Sequence, residues 1–159
     1  MTTQEKREAA KAQSEREAAT LAQIGGFVFW FSQIEGALRF ALAGALNLPE
    51  ELYDAVTASY DFRTLCAVTL AACRFRDAGD PTKIAAIEKL ISRCKKMNDT
   101  RVHIVHGIWQ PSSTAGFSAK HMSRQSLTVH ELYNDPRAIS QAVQECRKLS
   151  QDALEVFFF

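Results

Sequence analysis

The stretch from Asp80 to Gly107, DPTKIAAIEKLISRCKKMNDTRVHIVHG, decides the fold class because it carries both ends of a long helix. Asp80 is a favoured N-cap residue, and Pro81 suits the first helical position, where no backbone N–H is needed. Gly107 is typical of the residue that follows a helix. Between these ends, Ile and Cys recur every three or four residues. This spacing predicts an amphipathic helix whose apolar face packs on other helices.

The segments on either side continue the helical pattern. Residues 22–47 have apolar side chains at three- and four-residue intervals, and prolines at positions 49 and 136 open further helices. A polar region precedes the last helix, and its residues 117–123 and 126–132 are compatible with two short strands. We therefore predict an all-α fold, a bundle of four to five helices with a short β-hairpin-like or loop insertion before the last helix.

Length and composition indicate one domain. The chain has 159 residues, of which 47% are hydrophobic, and a formal net charge of +1. We predict that residues 1–21 form a charged helical extension and that residues 22–159 form the bundle. The N-terminus has no apolar signal region, and no apolar run reaches the roughly 18 residues that a membrane span needs. These features predict a cytoplasmic protein with no membrane partner.

The four cysteines form no recognisable motif. No Cys-x-x-Cys pair is present, and no spacing of Cys and His suits zinc. The interpretation we favour is that all four are buried free thiols in a reducing compartment. We therefore expect no metal and no cofactor.

Two polar residues lie within the apolar face of the 81–106 helix. On a helical wheel with Val105 set at zero, Asn98 falls at about 20° and Arg101 at about −40°, inside the arc of the Ile and Cys side chains. A buried guanidinium needs an anionic partner. Glu35 falls inside the apolar arc of the preceding long helix and offers one. Arg101 therefore either forms a structural ion pair with Glu35 or is held ready for an anionic ligand.

His106 stands at the end of the same helix, next to Gly107, where the helix dipole favours a positive imidazole. On the wheel it lies at the margin of the apolar arc, beside Lys95, whereas His103 falls on the far side and is predicted to be solvated. Several cationic side chains, among them Lys89, Arg93, Lys95 and Lys96, lie along this helix. A strip of this kind is either a solvated surface or a phosphate-binding one.

With Arg101 and His106 separated by four residues at a helix end, the sequence resembles the HEPN superfamily. The matching residues are RVHIVHG, from Arg101 to Gly107, and the upstream stretch FWFSQIEGALRFAL is also similar to HEPN-like proteins. The resemblance covers residues 22–157. It implies a metal-independent endoribonuclease that works as a homodimer, with the motifs of both subunits facing one cleft.

The resemblance also implies roles for individual residues. His106 would transfer the proton, and Arg101 would bind the phosphate with its fork of donors. Asn98, Glu35 and Lys95 would support them. RNA would be the substrate, and an antitoxin or another regulatory protein would be a partner if the enzyme is a toxin or a defence component.

Two further hypotheses stay open at this point. The residue after Arg101 is Val102, where the family usually has asparagine. This departure favours a non-catalytic HEPN-like module that binds RNA, a nucleotide or a partner protein. The third hypothesis is a helical interaction domain in which Arg101 only closes an ion pair with Glu35.

Overall fold

The computed structural model describes residues 2–122 and 129–159, and within them it places five helices and three strands. The helices are α1 (Thr3–Leu46), α2 (Glu50–Thr57), α3 (Phe62–Arg76), α4 (Pro81–His106) and α5 (Pro136–Phe158). The strands β1 (Ile108–Ser112), β2 (Gly116–Met122) and β3 (Val129–Leu132) lie between α4 and α5. The predicted helical fold with an insertion before the last helix is confirmed.

Aspartate side chains fix the starts of three helices. The Oδ1 atom of Asp80 accepts the N–H of Lys83 at 2.9 Å, as the N-cap prediction required. Asp61 accepts the N–H groups of two residues of α3, and Asp135 accepts the N–H of Arg137 in α5. The bounds of these helices are therefore set by local side-chain chemistry.

The insertion is a three-stranded antiparallel sheet with the order β1-β2-β3. Strands β2 and β3 match the predicted hairpin, although residues 123–128 of that prediction lie outside the described part of the chain. Strand β1 was not predicted. Its register with β2 pairs Ile108 with Lys120, Gln110 with Ser118 and Ser112 with Gly116.

The chain divides into two compact units, to which α1, α4 and α5 all contribute residues. The first unit contains residues 1–29 and 100–145, and it includes the sheet. Here α1 holds the turn between β1 and β2. Thr20 Oγ1 donates to the carbonyl oxygen of Ala115 at 2.5 Å, and Gln13 Nε2 donates to that of Ser112 at 3.2 Å. Residues of the predicted N-terminal extension thus contact the sheet.

The second unit contains residues 30–99 and 146–159. Its core is aliphatic, and its largest fully buried side chains include Ile34, Leu38, Leu42, Leu65, Ile87, Ile91 and Leu149. Ion pairs join neighbouring helices at its surface. Arg74 pairs with Glu88, and Arg93 pairs with Asp152, with N–O distances of 2.5 and 2.6 Å.

All four cysteines are buried within this second unit and form no disulfide, as the sequence predicted. Burial raises the pKa of Cys66 to about 11 and those of Cys94 and Cys146 to about 12. These thiols therefore stay protonated at neutral pH and belong to the core.

Candidate functional site

Asn98 lies on the buried face of α4, as the helical wheel predicted. It is 6% exposed and follows Ile87, Ile91 and Cys94, which are all at most 1% exposed. Asn98 thus carries an amide into a row of apolar side chains, where Ile and Cys occupy the preceding turns. Asn98 belongs to the second unit. Its side chain lies on the same face as these apolar residues because α4 is one regular helix, in which residues three and four apart share a face.

Arg101 is half-buried in the first unit. The wheel placed it inside the apolar arc, and the structure places it at the border of the buried face of α4. Its neighbours explain the difference. Val105, the zero position of the wheel, is 41% exposed, whereas Ile104 is 1% exposed. The buried face of α4 therefore turns toward Ile104 in the last two turns.

His106 is the last residue of α4, and its side chain is exposed in the same unit as Arg101. Helix α4 remains α-helical through His106. On a regular helix the two residues differ by about 140° in direction and about 7.5 Å along the axis. A distorted last turn, which would have brought the two side chains together, is not present. They can meet only if Arg101 reaches around the helix or if a second subunit supplies its own copy.

Gly107 explains how the sheet can follow His106 directly. A Cβ at this position would clash with the carbonyl oxygen of His103 and would press on Cβ of Ala119 in β2. The N–H of Gly107 donates to His103 O at 3.0 Å. Only glycine fits here, because the chain turns from helix to strand within one residue. The imidazole is thereby held at the junction of α4 and β1.

Glu35 lies in the second unit, where its Oε1 atom accepts Arg39 Nη2 at 2.6 Å, one turn further along α1. Arg39 Nη1 also donates to Thr57 Oγ1 at 3.5 Å. Glu35 therefore has a cationic partner on its own helix. A pair between Glu35 and Arg101 stays a prediction.

Lys95 is exposed on α4, and so are Lys89 and Lys96. Within the same strip, Arg93 is paired with Asp152. Burial opposes the charge of Asp152, but hydrogen bonds from Arg93 and Lys148 outweigh it and hold the pKa of this carboxyl below its usual value. His103, which was predicted to be solvated, is half-buried.

Two cavities of the first unit were not predicted. An apolar one of about 360 Å³ is lined by Leu21, Ile24, Val28, Ile104, Val105, Trp109 and Phe117. Trp109 is fixed there, because its Nε1 atom donates to Ile104 O at 2.9 Å and its ring stacks on Tyr133. A polar cavity of about 770 Å³ lies along β1 and β2. The alternation of apolar and polar residues in β1 and β2 is the sequence feature from which an apolar and a polar face of the sheet could have been predicted.

Within residues 2–122 and 129–159, no three His, Cys, Asp or Glu side chains come together as a group that could hold a metal ion. None of the helices in these ranges is long and apolar enough to cross a membrane. Comparisons with protein-family models, with curated proteins and with solved structures found no match for this chain.

Proposed function

We propose that the protein is a HEPN-like, metal-independent endoribonuclease that uses Arg101 and His106. One observation carries the proposal. A half-buried guanidinium and an exposed imidazole occupy the last two turns of α4 in one unit, at a junction that requires Gly107. An imidazole that solvent and substrate can reach suits proton transfer near neutral pH.

The proposed reaction uses the RNA's own nucleophile. His106 takes the proton from a ribose 2′-OH, and the oxygen attacks the adjacent phosphorus. The bond from phosphorus to the 5′-oxygen of the next nucleotide then breaks. The products are a 2′,3′-cyclic phosphate and a 5′-hydroxyl, whose proton comes from a general acid. Arg101 stabilises the charge that develops on the phosphoryl oxygens.

We further propose that the active form is a homodimer. The regular helix separates Arg101 from His106, so two copies that face one cleft would supply both a base and an acid. Exposed apolar side chains in the first unit support association, and they include Leu21, Val28, Phe29, Val105 and Ile108. Light scattering at micromolar concentration tests this proposal, and a monomer would contradict it.

The test of the enzymatic proposal is cleavage of mixed single-stranded RNA in EDTA. We expect cleavage by the wild-type protein and a loss of about 10²- to 10⁴-fold in His106→Ala. Arg101→Ala should lose a similar factor. Lys89→Ala, which removes an exposed cation of the second unit, is the matched control and should cleave normally. Cleavage that needs a divalent metal, or that survives His106→Ala, would overturn the proposal.

A non-catalytic module that binds RNA, a nucleotide or a partner protein is the second candidate. Val102 after Arg101 favours it, and so does the apolar cavity that Val105 and Trp109 line. RNA binding without cleavage in the same assay would select this candidate. An antitoxin-like regulatory protein is a partner that either function allows. The four cysteines are buried and form no disulfide, which supports a cytoplasmic location.

A further inference from the structure

His103 and His106 lie in the last turn of α4, three residues apart. The N–H of Gly107 donates to the carbonyl oxygen of His103 at 3.0 Å, so a helical hydrogen bond closes this turn. Residues three apart on an α-helix differ by about 60° in direction, and their Cβ atoms are about 5 to 6 Å apart. The two imidazoles are therefore neighbours on one side of the helix, within the first unit.

The surroundings of the two histidines differ. His106 is exposed, whereas His103 is half-buried and takes part in an interaction of its own. A catalytic imidazole is commonly held by a second group while its other ring nitrogen faces the reacting atom. Half-burial thus restricts the side chain of His103 and still leaves part of it open to a substrate bound against His106.

The proposed reaction needs an acid as well as a base. The 2′-oxygen of the ribose attacks on one side of the phosphorus, and the 5′-oxygen leaves on the opposite side, roughly in line. Two proton-transfer groups that flank one phosphate suit this geometry. Arg101 cannot be the acid, because a guanidinium keeps its protons at any pH at which the protein is folded.

A histidine beside His106 meets this need. Near neutral pH an imidazole exists in both its protonated and its neutral form, so one histidine can accept a proton while another donates one. A dimer would also bring His106 of the partner subunit into the cleft. His103, however, is placed next to His106 by a single helical turn, and this placement does not depend on how two copies meet.

We propose that His103 is the general acid of the RNA cleavage. The inference rests on the proposed function, because it names a further catalytic residue for the same reaction. Neutral His106 takes the proton of the 2′-OH as the bond from the 2′-oxygen to phosphorus forms. Protonated His103 gives its proton to the 5′-oxygen as the bond from phosphorus to that oxygen breaks. Proton exchange with water then restores both imidazoles.

The test compares two short RNAs that differ in one atom of the leaving group. Each has a 2′-OH at a single position, and in the second RNA sulfur replaces the bridging 5′-oxygen at that position. A thiolate is a much weaker base than an alkoxide and leaves without being protonated. Loss of a general acid therefore slows cleavage of the oxygen-bridged RNA alone, whereas loss of the base slows cleavage of both.

We expect His103→Ala and His103→Gln to cleave the oxygen-bridged RNA about 10²- to 10⁴-fold more slowly than the wild type in EDTA. Both variants should cleave the sulfur-bridged RNA within about threefold of the wild-type rate. His106→Ala should be slow on both RNAs. Thr100→Ala, at a half-buried position of α4 in the same unit, is the matched control and should cleave both normally.

Glutamine keeps a polar side chain of similar length at position 103, so His103→Gln covers the case in which alanine disturbs the fold. Thermal unfolding followed by circular dichroism checks that each variant is folded. Equal losses on the two RNAs in folded His103 variants would overturn the inference, because a purely structural role does not depend on the leaving atom.

The outcomes separate the general acid from the proposed function. Wild-type cleavage of the oxygen-bridged RNA by both His103 variants, together with slow cleavage by His106→Ala, would overturn the inference and keep the enzyme. A wild-type protein that cleaves neither RNA, or cleavage that survives His106→Ala, would overturn the proposed function and this inference with it.

Discussion

The backbone N–H of Gly107 donates to the carbonyl oxygen of His103 at 3.0 Å, and this bond closes the last turn of α4. The same carbonyl oxygen occupies the space that a side chain at position 107 would need. The relationship between these two residues fixes the point where the helix becomes a strand. It also fixes where the backbone presents His106.

We expect Gly107→Ala to lower the free energy of unfolding by about 1 to 3 kcal/mol, because the added methyl group meets backbone and Ala119. Urea unfolding measures the change. Gly25→Ala is the matched control, since nothing lies within 4 Å of its new Cβ on α1. Alanine should stabilise that helix by up to about 1 kcal/mol. Equal effects at both positions would contradict the crowding described for Gly107.

We expect Thr20→Val to destabilise the first unit by about 1 to 2 kcal/mol. Thr20 is 6% exposed, and its hydroxyl donates to the carbonyl oxygens of Ala115 and Arg16 at 2.5 and 3.0 Å. Valine keeps the shape but leaves the Ala115 oxygen without this donor. Hydrogen exchange of β1 and β2 amides should rise with the fall in stability. Thr82→Val, at an exposed position of α4, should change neither quantity.

The ion pair between Arg93 and Asp152 should give a pH-dependent contribution to stability. The folded pKa of Asp152 lies below its usual value, so the pair stabilises the fold above about pH 4 and is lost as the pH falls through the lower folded value. Because the pair is partly exposed, we expect Asp152→Asn to cost no more than about 1 kcal/mol at pH 7.

Urea unfolding at pH 7 and near pH 2.5 separates the contribution of the Asp152 charge from a change in side-chain packing caused by the substitution. The difference between Asp152→Asn and the wild type should shrink at the lower pH. Glu155→Gln, an exposed carboxyl on the same helix, is the control. A difference that stays constant over this range would show that the charge of Asp152 does not stabilise the fold.

We expect the four thiols to resist alkylation in the folded protein. Burial raises the pKa of all four thiols and so disfavours the reactive thiolate, and their side chains are inaccessible to the reagent. Mass spectrometry after treatment with iodoacetamide should find an unmodified native chain and four modified cysteines after denaturation. Rapid labelling of Cys94 in the native protein would contradict its buried position.

Much of the fold could be predicted because helix ends and helix faces are local features. Asp80 and Pro81 begin α4 through hydrogen bonds and dihedral angles that involve only the next few residues. Asn98 follows the row of buried Ile and Cys for the same reason, since one regular helix fixes the direction of every side chain. The positions of Arg101 and His106 in the last two turns of that helix could likewise be predicted from the sequence.

Strand β1 could not be predicted, because its five residues contain Pro111 and form a strand only through their pairing with β2. The same long-range packing decided the exposure of the site. The sheet lies against the end of α4 near Ile104, where Trp109 donates to the Ile104 carbonyl oxygen, and Val105 is left exposed. The sequence therefore determined which residues share the helix. Only the tertiary structure decided which of them reach solvent, because burial depends on what packs against the helix.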